Sequence, residues 1–107
     1  MTTTSSADAN VVTLVNILTV YPTNQPKLLS MLRDNTENTI RTLNGWISTS
    51  LLASKDLRRI VIYSQWKSVA EVEAMRAEPR MVAYFPQLAA LASFDSFIGD
   101  VVVAHHA

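Results

Sequence analysis

The chain has 107 residues, with nine basic and nine acidic side chains, two histidines and no cysteine. This length is typical of one domain with its own core, and the balanced charge excludes the basic surface that would bind nucleic acid or an anionic membrane. The lack of cysteine excludes disulfides, thiolate metal sites and thiol nucleophiles and is typical of a cytoplasmic protein, and no apolar run reaches the roughly 18 residues that span a bilayer.

The first twenty residues divide into a polar arm and a strand. Residues 1–10 are small and polar and lack the features of a signal peptide, so we predict a disordered N-terminal arm over 1–10 and a single domain over 11–107. Apolar residues dominate both faces of a predicted first strand over 11–20. Asn16 is the exception on its face, and its amide either bonds neighbouring backbone or points into a ligand cavity.

A helix and a second strand are predicted next. Asn24 is a candidate N-cap, Pro26 suits a first helical turn, and apolar residues then recur at helical spacing, which predicts a helix over 25–43. Asn44-Gly45 is a stop signal. A second strand is predicted over 46–53, joined through Lys55-Asp56 by a hairpin connection to the next strand.

The central segment is a strand that runs into a tryptophan and then a helix. The apolar run from Ile60 to Tyr63 predicts a strand leading to Trp66, and Ser68 with Glu71 has the spacing of a capping box, which predicts a helix over 69–78. Pro79 predicts a break.

The last part of the chain is predicted as a helix and a strand. The helix begins at Arg80 and is interrupted or bent near Pro86; its apolar residues are Met81, Tyr84, Phe85, Leu88 and Leu91. A loop with Ser93, Phe94 and Asp95 leads to a predicted strand over 97–104. His105-His106 has no third ligand nearby, so we interpret it as part of a solvated tail and predict no metal site.

The predicted order is βαββαβ, which is typical of a ferredoxin-like α+β fold with an antiparallel sheet and both helices on one face. The opposite face of the sheet is still apolar at Val11, Val15, Ile17 and Val61, and 49% of the chain is hydrophobic. We therefore predict a homodimer through the sheet face opposite the helices.

Four segments resemble one known family. They are 12–20 (VTLVNILTV), 43–46 (LNGW), 63–68 (YSQWKS) and 77–80 (AEPR), and they resemble the antibiotic biosynthesis monooxygenase (ABM) family. The resemblance spans about residues 11–104 and implies a dimeric α+β barrel. Members of this family include cofactor-independent oxygenases that convert polyketide anthrones to quinones, quinol monooxygenases and haem-degrading enzymes.

The resemblance also implies site residues. Trp66 matches the pocket tryptophan of the anthrone oxygenases, and Asn16 matches a first-strand asparagine of some of them. Ile62 stands where several have a second asparagine, and Leu51 and Val72 stand where one has tyrosines. The stretch 82–88 has no histidine in the place of the haem ligand, so haem chemistry is not expected.

Strand parity places these residues around one pocket, which a plain hydrophobic core would also explain. The predicted catalytic residues are Asn16 and Trp66, as donors to a developing oxyanion. The predicted substrate-binding residues are Leu14, Leu18, Leu51, Ile62, Val72, Met75, Tyr84, Phe85 and Leu88.

The expected function is that of a cofactor-independent monooxygenase in aromatic polyketide biosynthesis. It would use O₂ to oxidise an electron-rich polycyclic phenol, anthrone or quinol to a quinone. No phosphate-binding glycine loop is present, so no nucleotide cofactor is expected. The alternatives are a non-catalytic small-molecule-binding protein on the same dimer and a polyketide cyclase or isomerase.

Overall fold

The computed structural model describes residues 11–107, so the predicted arm over 1–10 lies outside the described residues. Within 11–107 the chain forms four strands and three α-helices. In chain order they are β1 (Val12–Val20), α1 (Gln25–Asn38), β2 (Trp46–Ala53), β3 (Arg59–Trp66), α2 (Val69–Ala77), α3 (Pro79–Ala89) and β4 (Ala92–Gly99). This confirms the ferredoxin-like βαββαβ order, with the second helical segment divided into α2 and α3.

The four strands form one antiparallel sheet in the order β2–β3–β1–β4. The helices pack on one face, where Leu14 and Leu18 of β1 and Ile60 and Trp66 of β3 are buried. Gln25 joins α1 to the β2–β3 hairpin, because its buried side-chain amide donates to the Arg59 carbonyl at 3.1 Å. The helix-facing residues therefore form the floor of the core, and the helices form its roof.

The opposite face of the sheet is not covered by helices. Leu52 is 65% exposed and Phe97 is 54% exposed, while Val15, Ile17 and Val61 are half-buried. The sheet thus keeps the apolar second face that the sequence predicts.

The helix predicted over 25–43 is shorter than expected. α1 ends at Asn38, Thr39 leaves the helical conformation with φ −125° and ψ −62°, and a 3-10 turn follows at Ile40–Thr42. The Thr42 hydroxyl donates to the Thr39 carbonyl at 2.6 Å, a local bond that competes with continuation of the helix. Asn24 occupies the N-cap position, but its side chain makes no capping bond.

The capping box predicted at Ser68 and Glu71 is confirmed for the hydrogen bond that the Ser68 hydroxyl accepts. The Ser68 hydroxyl accepts from the Glu71 N–H at 3.2 Å and begins α2. α2 ends at Ala77, one residue before the predicted end, because Glu78 is extended and caps α3 by accepting from the Arg80 N–H. α3 runs through Pro86 to Ala89, so of the interruption or bend predicted near Pro86 the interruption is wrong.

The predicted last strand is present, but its predicted bounds of 97–104 are wrong. β4 spans Ala92–Gly99 and pairs with β1 from Val20↔Ala92 to Thr13↔Gly99, so Phe94 and its neighbours lie within the strand. The pairing of β4 with β1 ends at Thr13↔Gly99, one residue after the start of β1. Residues 100–107 have no regular structure, and both histidines of the tail are exposed.

The buried core consists of two clusters. One surrounds Trp66, and its other buried members are Leu14, Ile40, Val72, Met75 and Met81. The other has the buried members Leu18, Val20, Leu28, Leu32, Ile60 and Leu88. Tyr84 and Phe85 of α3 pack against both clusters. No helix within 11–107 is long and apolar enough to cross a membrane.

Candidate active site

A cavity of about 90 Å³ lies between the sheet and the helices. β1, β3 and Thr49 of β2 contribute its floor, while α1, α2 and α3 contribute its roof. Phe94 of β4 also lines it and is 47% exposed, which marks an opening at the β4 edge. Most of the lining is apolar, with a small number of amide and hydroxyl groups among aliphatic and aromatic side chains.

The structure brings most of the predicted site residues to this cavity. Asn16 and Trp66 both line it. Among the predicted substrate-binding residues, those that line it are Leu14, Leu18, Ile62, Met75, Tyr84, Phe85 and Leu88. Val72 lies instead fully buried within the Trp66 cluster, and Leu51 packs beside the other cluster; neither lines the cavity.

Asn16 lies in the middle of β1, between Ile62 of β3 and Ser96 of β4 in the sheet register. Its side chain lines the cavity, and no side-chain hydrogen bond engages its amide within residues 11–107. An amide that bonded neighbouring backbone would be satisfied structurally. This one remains available to a ligand.

Among the cavity-lining side chains that can form hydrogen bonds, Trp66 is the most deeply buried, with 1% of its surface exposed. Its indole N–H donates to Ser64 Oγ at 3.1 Å, and the Ser64 hydroxyl lies 3.4 Å from the Leu14 carbonyl to which it donates. The N–H is therefore already paired. The Ser64 hydroxyl lines the cavity and is polarised by the indole, and because its own bond to the Leu14 carbonyl is long, a ligand oxygen can compete for its hydrogen.

A second indole–hydroxyl pair lies beside the first. Trp46 Nε1 donates to Thr49 Oγ1 at 2.8 Å, and Thr49 pairs with Ser64 across β2 and β3. The register of these strands shifts between Trp46 and Ser48, and this irregularity breaks simple alternation of faces near the start of β2. Because Thr49 accepts a hydrogen bond, its own hydroxyl hydrogen is left for donation.

Tyr84 is the polar group of the roof. Its hydroxyl oxygen is buried and has no hydrogen-bond partner within the described part of the chain. Burial, and to a lesser extent the negative charge of Asp34, raise the pKa of Tyr84 well above its ordinary value. The phenol is therefore neutral at physiological pH and acts as a donor, not as a base.

The polar groups that α1 contributes to the lining carry no charge and form hydrogen bonds within the protein. Thr36 Oγ1 donates to the Leu32 carbonyl of its own helix at 2.8 Å, and Asn35 Nδ2 lies 3.6 Å from the Met81 sulfur. Among the described residues, the lining contains no carboxylate, histidine or lysine. Within residues 11–107 no group of three or more potential metal ligands is placed to hold an ion. The cavity thus offers a flat ligand an apolar lining and hydrogen-bond donors for its oxygens.

Sequence reasoning missed several lining residues, mainly on α1. They are Leu32, Asn35, Thr36, Ile40, Met81 and Phe94. Asn35 and Thr36 lie three and four residues after Leu32, so the helical period could have placed them beside it. Phe94 was missed because its segment was predicted to be a loop, whereas it pairs with Leu18 and shares its face.

Comparison with known proteins agrees with this architecture. The family model described as antibiotic biosynthesis monooxygenase matches residues 11–87. A tetracenomycin-F1 monooxygenase of Streptomyces glaucescens is 38% identical over 82 residues, which are 77% of this chain and 73% of that protein.

Two solved structures share the fold. SnoaB, a cofactor-independent oxygenase from Streptomyces nogalater, superposes with a TM-score of 0.72 at 20% identity, covering 92% of this chain and 97% of that one. Protein SO0527 from Shewanella oneidensis superposes with a TM-score of 0.77 at 22% identity, covering 91% and 96%. At these identities the two likenesses concern the fold.

Proposed function

Since the chain belongs to the antibiotic biosynthesis monooxygenase family, we propose that it is a cofactor-independent monooxygenase that oxidises an electron-rich polycyclic phenol, anthrone or quinol to a quinone. The observation that carries this proposal is the Asn16 amide, which lies in an apolar cavity without a hydrogen-bond partner among residues 11–107, beside the Ser64 hydroxyl that Trp66 polarises. The relative named tetracenomycin-F1 monooxygenase supports a substrate related to aromatic polyketides.

The reaction needs little from the protein beyond ionisation and orientation of the substrate. An anthrone loses one proton from its ring methylene to give an enolate, which passes an electron to O₂. The resulting radical and superoxide combine to a peroxide at that carbon. Loss of water from the protonated peroxide forms the new carbonyl, so one oxygen atom of O₂ enters the quinone and the other leaves as water.

The role of the floor residues is to stabilise the enolate oxygen. The Asn16 amide N–H and the Ser64 hydroxyl are donors on the same face of the sheet, because Leu14 pairs with Ser64 and Asn16 with Ile62 in adjacent strands. Trp66 acts through Ser64, since its N–H donates to that oxygen. Donors fixed in a dry site stabilise developing charge more than water does.

Proton removal is assigned to water and the acidity of the substrate. The lining residues include no carboxylate or histidine, and Tyr84 is protonated because its pKa is raised. Phe94 lines the cavity and is half-exposed, so we assign the entry of this water to the β4 edge. Substrates that ionise more readily are therefore expected to turn over faster.

Oxygen uptake with an anthrone tests the proposal. Asn16→Ala is expected to lower kcat/KM by about 10²-fold, the usual effect of losing one oxyanion donor, and Trp66→Phe to lower it less because Ser64 remains. Tyr21→Phe is a control, since Tyr21 is 76% exposed and does not line the cavity. Unchanged oxygen uptake in both cavity variants would refute the role assignments.

We also propose that the active form is a homodimer through the uncovered sheet face. This face presents Leu52 and Phe97, both more than half-exposed, around the half-buried Val61. Val61→Glu is expected to yield a monomer in light scattering, whereas Val82→Glu, on the exposed surface of α3, leaves the mass unchanged. A wild-type chain that is monomeric at micromolar concentration would contradict the dimer.

One observation favours a second candidate, a non-catalytic binder of the same ligands. The residue directly opposite Asn16 on β3 is Ile62, which offers no donor. Titration with a tricyclic phenol while tryptophan fluorescence and oxygen are both recorded separates the two functions. Binding without oxygen consumption supports the binder, and a product formed under nitrogen indicates a cyclase or isomerase.

A further inference from the structure

Tyr84 lines the cavity from α3, and its buried hydroxyl has no hydrogen-bond partner in the described part of the chain. The ring packs against both core clusters, so its position is fixed by apolar contacts on two sides. Its oxygen is buried and unpaired within residues 11–107. A buried hydroxyl left unpaired costs stability, and phenylalanine would fill the same space without that cost.

The two sets of available donors lie on different elements around the cavity. Asn16 and Ser64 belong to the sheet, and Tyr84 belongs to α3, which packs over it. A flat ligand held at one edge by the sheet donors can therefore meet the Tyr84 hydroxyl with another edge. A ligand with oxygen at only one edge leaves one of the two sets unpaired.

We propose that the Tyr84 hydroxyl donates a hydrogen bond to the oxygen that enters from O₂, on the ring edge opposite the one held by Asn16. The inference rests on the proposed oxygenase function in that it assigns this oxygen to the reaction. Tyr84 thereby selects ring systems in which the carbon opposite the existing carbonyl is the one oxidised. The matching product class is a polycyclic quinone with carbonyls on opposite edges.

The surroundings of Tyr84 indicate whether its hydroxyl donates to the enolate oxygen or to the oxygen that enters from O₂. Burial of the Tyr84 hydroxyl, and secondarily the negative charge of Asp34, disfavour an anion beside it, as the raised pKa of Tyr84 indicates. The enolate oxygen is thus better placed at the uncharged sheet donors, and the protonated peroxide or the new carbonyl, which carry no charge, at Tyr84. No proton leaves Tyr84 in this arrangement, since the phenol only donates a hydrogen bond.

Binding of two matched ligands tests this assignment without turnover. Anthrone carries one ring carbonyl, and 9,10-anthraquinone carries two on opposite edges. Fluorescence titrations under nitrogen compare the wild type with Tyr84→Phe, and Tyr21→Phe serves as the matched control because it removes an exposed phenol hydroxyl. Tyr84→Phe is expected to weaken anthraquinone binding by about fivefold, the value of one net hydrogen bond, and to leave anthrone binding unchanged.

Equal effects on both ligands, or no effect on anthraquinone, would overturn the role of Tyr84 even if oxygen uptake persists. Discrimination between the ligands without any oxygen uptake would instead uphold the Tyr84 contact and refute the oxygenase proposal.

A measurement on the wild type avoids dependence on the folding of the variant. The infrared carbonyl bands of both ends of bound anthraquinone should shift to lower frequency, and a band that stays at its unbonded frequency would contradict the inference.

Discussion

Asn16→Leu replaces the unpaired amide of the cavity floor with an apolar side chain of similar shape. Asn16 is half-buried between Leu14 and Leu18 on its own strand and faces Ile62 across β3. In these surroundings leucine gains apolar contacts, and no partner of the amide is lost within the described residues. If the Asn16 amide serves catalysis, this variant is therefore more stable and less active. If the amide supports the fold, the variant is less stable and remains active.

The expected magnitudes follow from burial and pairing. Removing an unpaired amide from apolar surroundings relieves roughly 1–3 kcal/mol by mutational scales, and access of water to the half-buried site reduces this to about 1 kcal/mol of added stability. For a domain of this size that corresponds to a rise in Tm of roughly 4–8 °C. Activity is expected to fall by about 10²-fold, because one donor to the developing oxyanion is lost.

Urea unfolding followed by circular dichroism measures the first effect, and oxygen uptake with an anthrone measures the second. Protein concentration is held constant, since association of subunits would shift the apparent stability. Asn38→Leu is the control, because Asn38 is exposed at the end of α1 and should change neither quantity appreciably. A variant that is both less stable and fully active would show that Asn16 is structural, and the reasoning would fail.

Three further predictions concern other positions. Ile62→Asn places a second amide opposite Asn16 and is expected to raise kcat/KM for anthrones by up to about tenfold while costing roughly 1–2 kcal/mol in urea unfolding, since an aliphatic contact is lost. Gly45→Ala is expected to destabilise the fold by about 2 kcal/mol in the same assay, because Gly45 has φ +83° and a Cβ there would lie 2.4–2.7 Å from Glu71 side-chain carbons. Because the pKa of Tyr84 is raised in the folded chain, the Tyr84 phenol loses its proton at lower pH in the unfolded chain than in the folded one. The free energy of unfolding is therefore unaffected by this group below about pH 10 and falls as the pH rises above it. Unfolding across pH 8–11 should therefore show Tyr84→Phe losing less stability than the wild type, and parallel curves would contradict the shift.

The sequence predicted best the elements that depend on local signals. β2 has the predicted bounds of residues 46–53, because its ends coincide with the Gly45 stop and the hairpin. The N-cap of α2 was predictable because the Ser68 hydroxyl and the Glu71 N–H lie three residues apart in any such helix start. Both signals operate within a few residues.

The predictions that failed depended on distant partners. The residues after Gly99 include consecutive valines that favour a strand by propensity, yet they have no regular structure because β4 pairs with β1 only as far as Gly99. Strand bounds are therefore decided by the register with β1, which a local pattern does not contain. The end of α1 depends likewise on the conformation at Thr39.

The candidate site divides in the same way. Parity within β1 and β3 was sufficient to place Asn16 and Trp66 on one face, and both line the cavity. Parity could not reveal that the Trp66 N–H is paired with Ser64, nor that the Tyr84 hydroxyl is buried without a partner. Those facts depend on side-chain geometry and on the packing of α3 over the sheet.

The size of the cavity determines whether a ligand can reach the donors in its lining without a movement of the helices. Its volume of about 90 Å³ is smaller than the ~300–1,000 Å³ typical of ligand pockets, so a tricyclic ligand enters only if the roof moves. α3 lacks one internal hydrogen bond, because Pro86 lies inside the helix and has no N–H to donate to the Val82 carbonyl. It also carries Tyr84 and adjoins the edge opened by Phe94. The movement that admits the ligand thus displaces the same helix that presents the roof donor, and the hydrogen bond formed by Tyr84 favours the return of α3 over the bound ring.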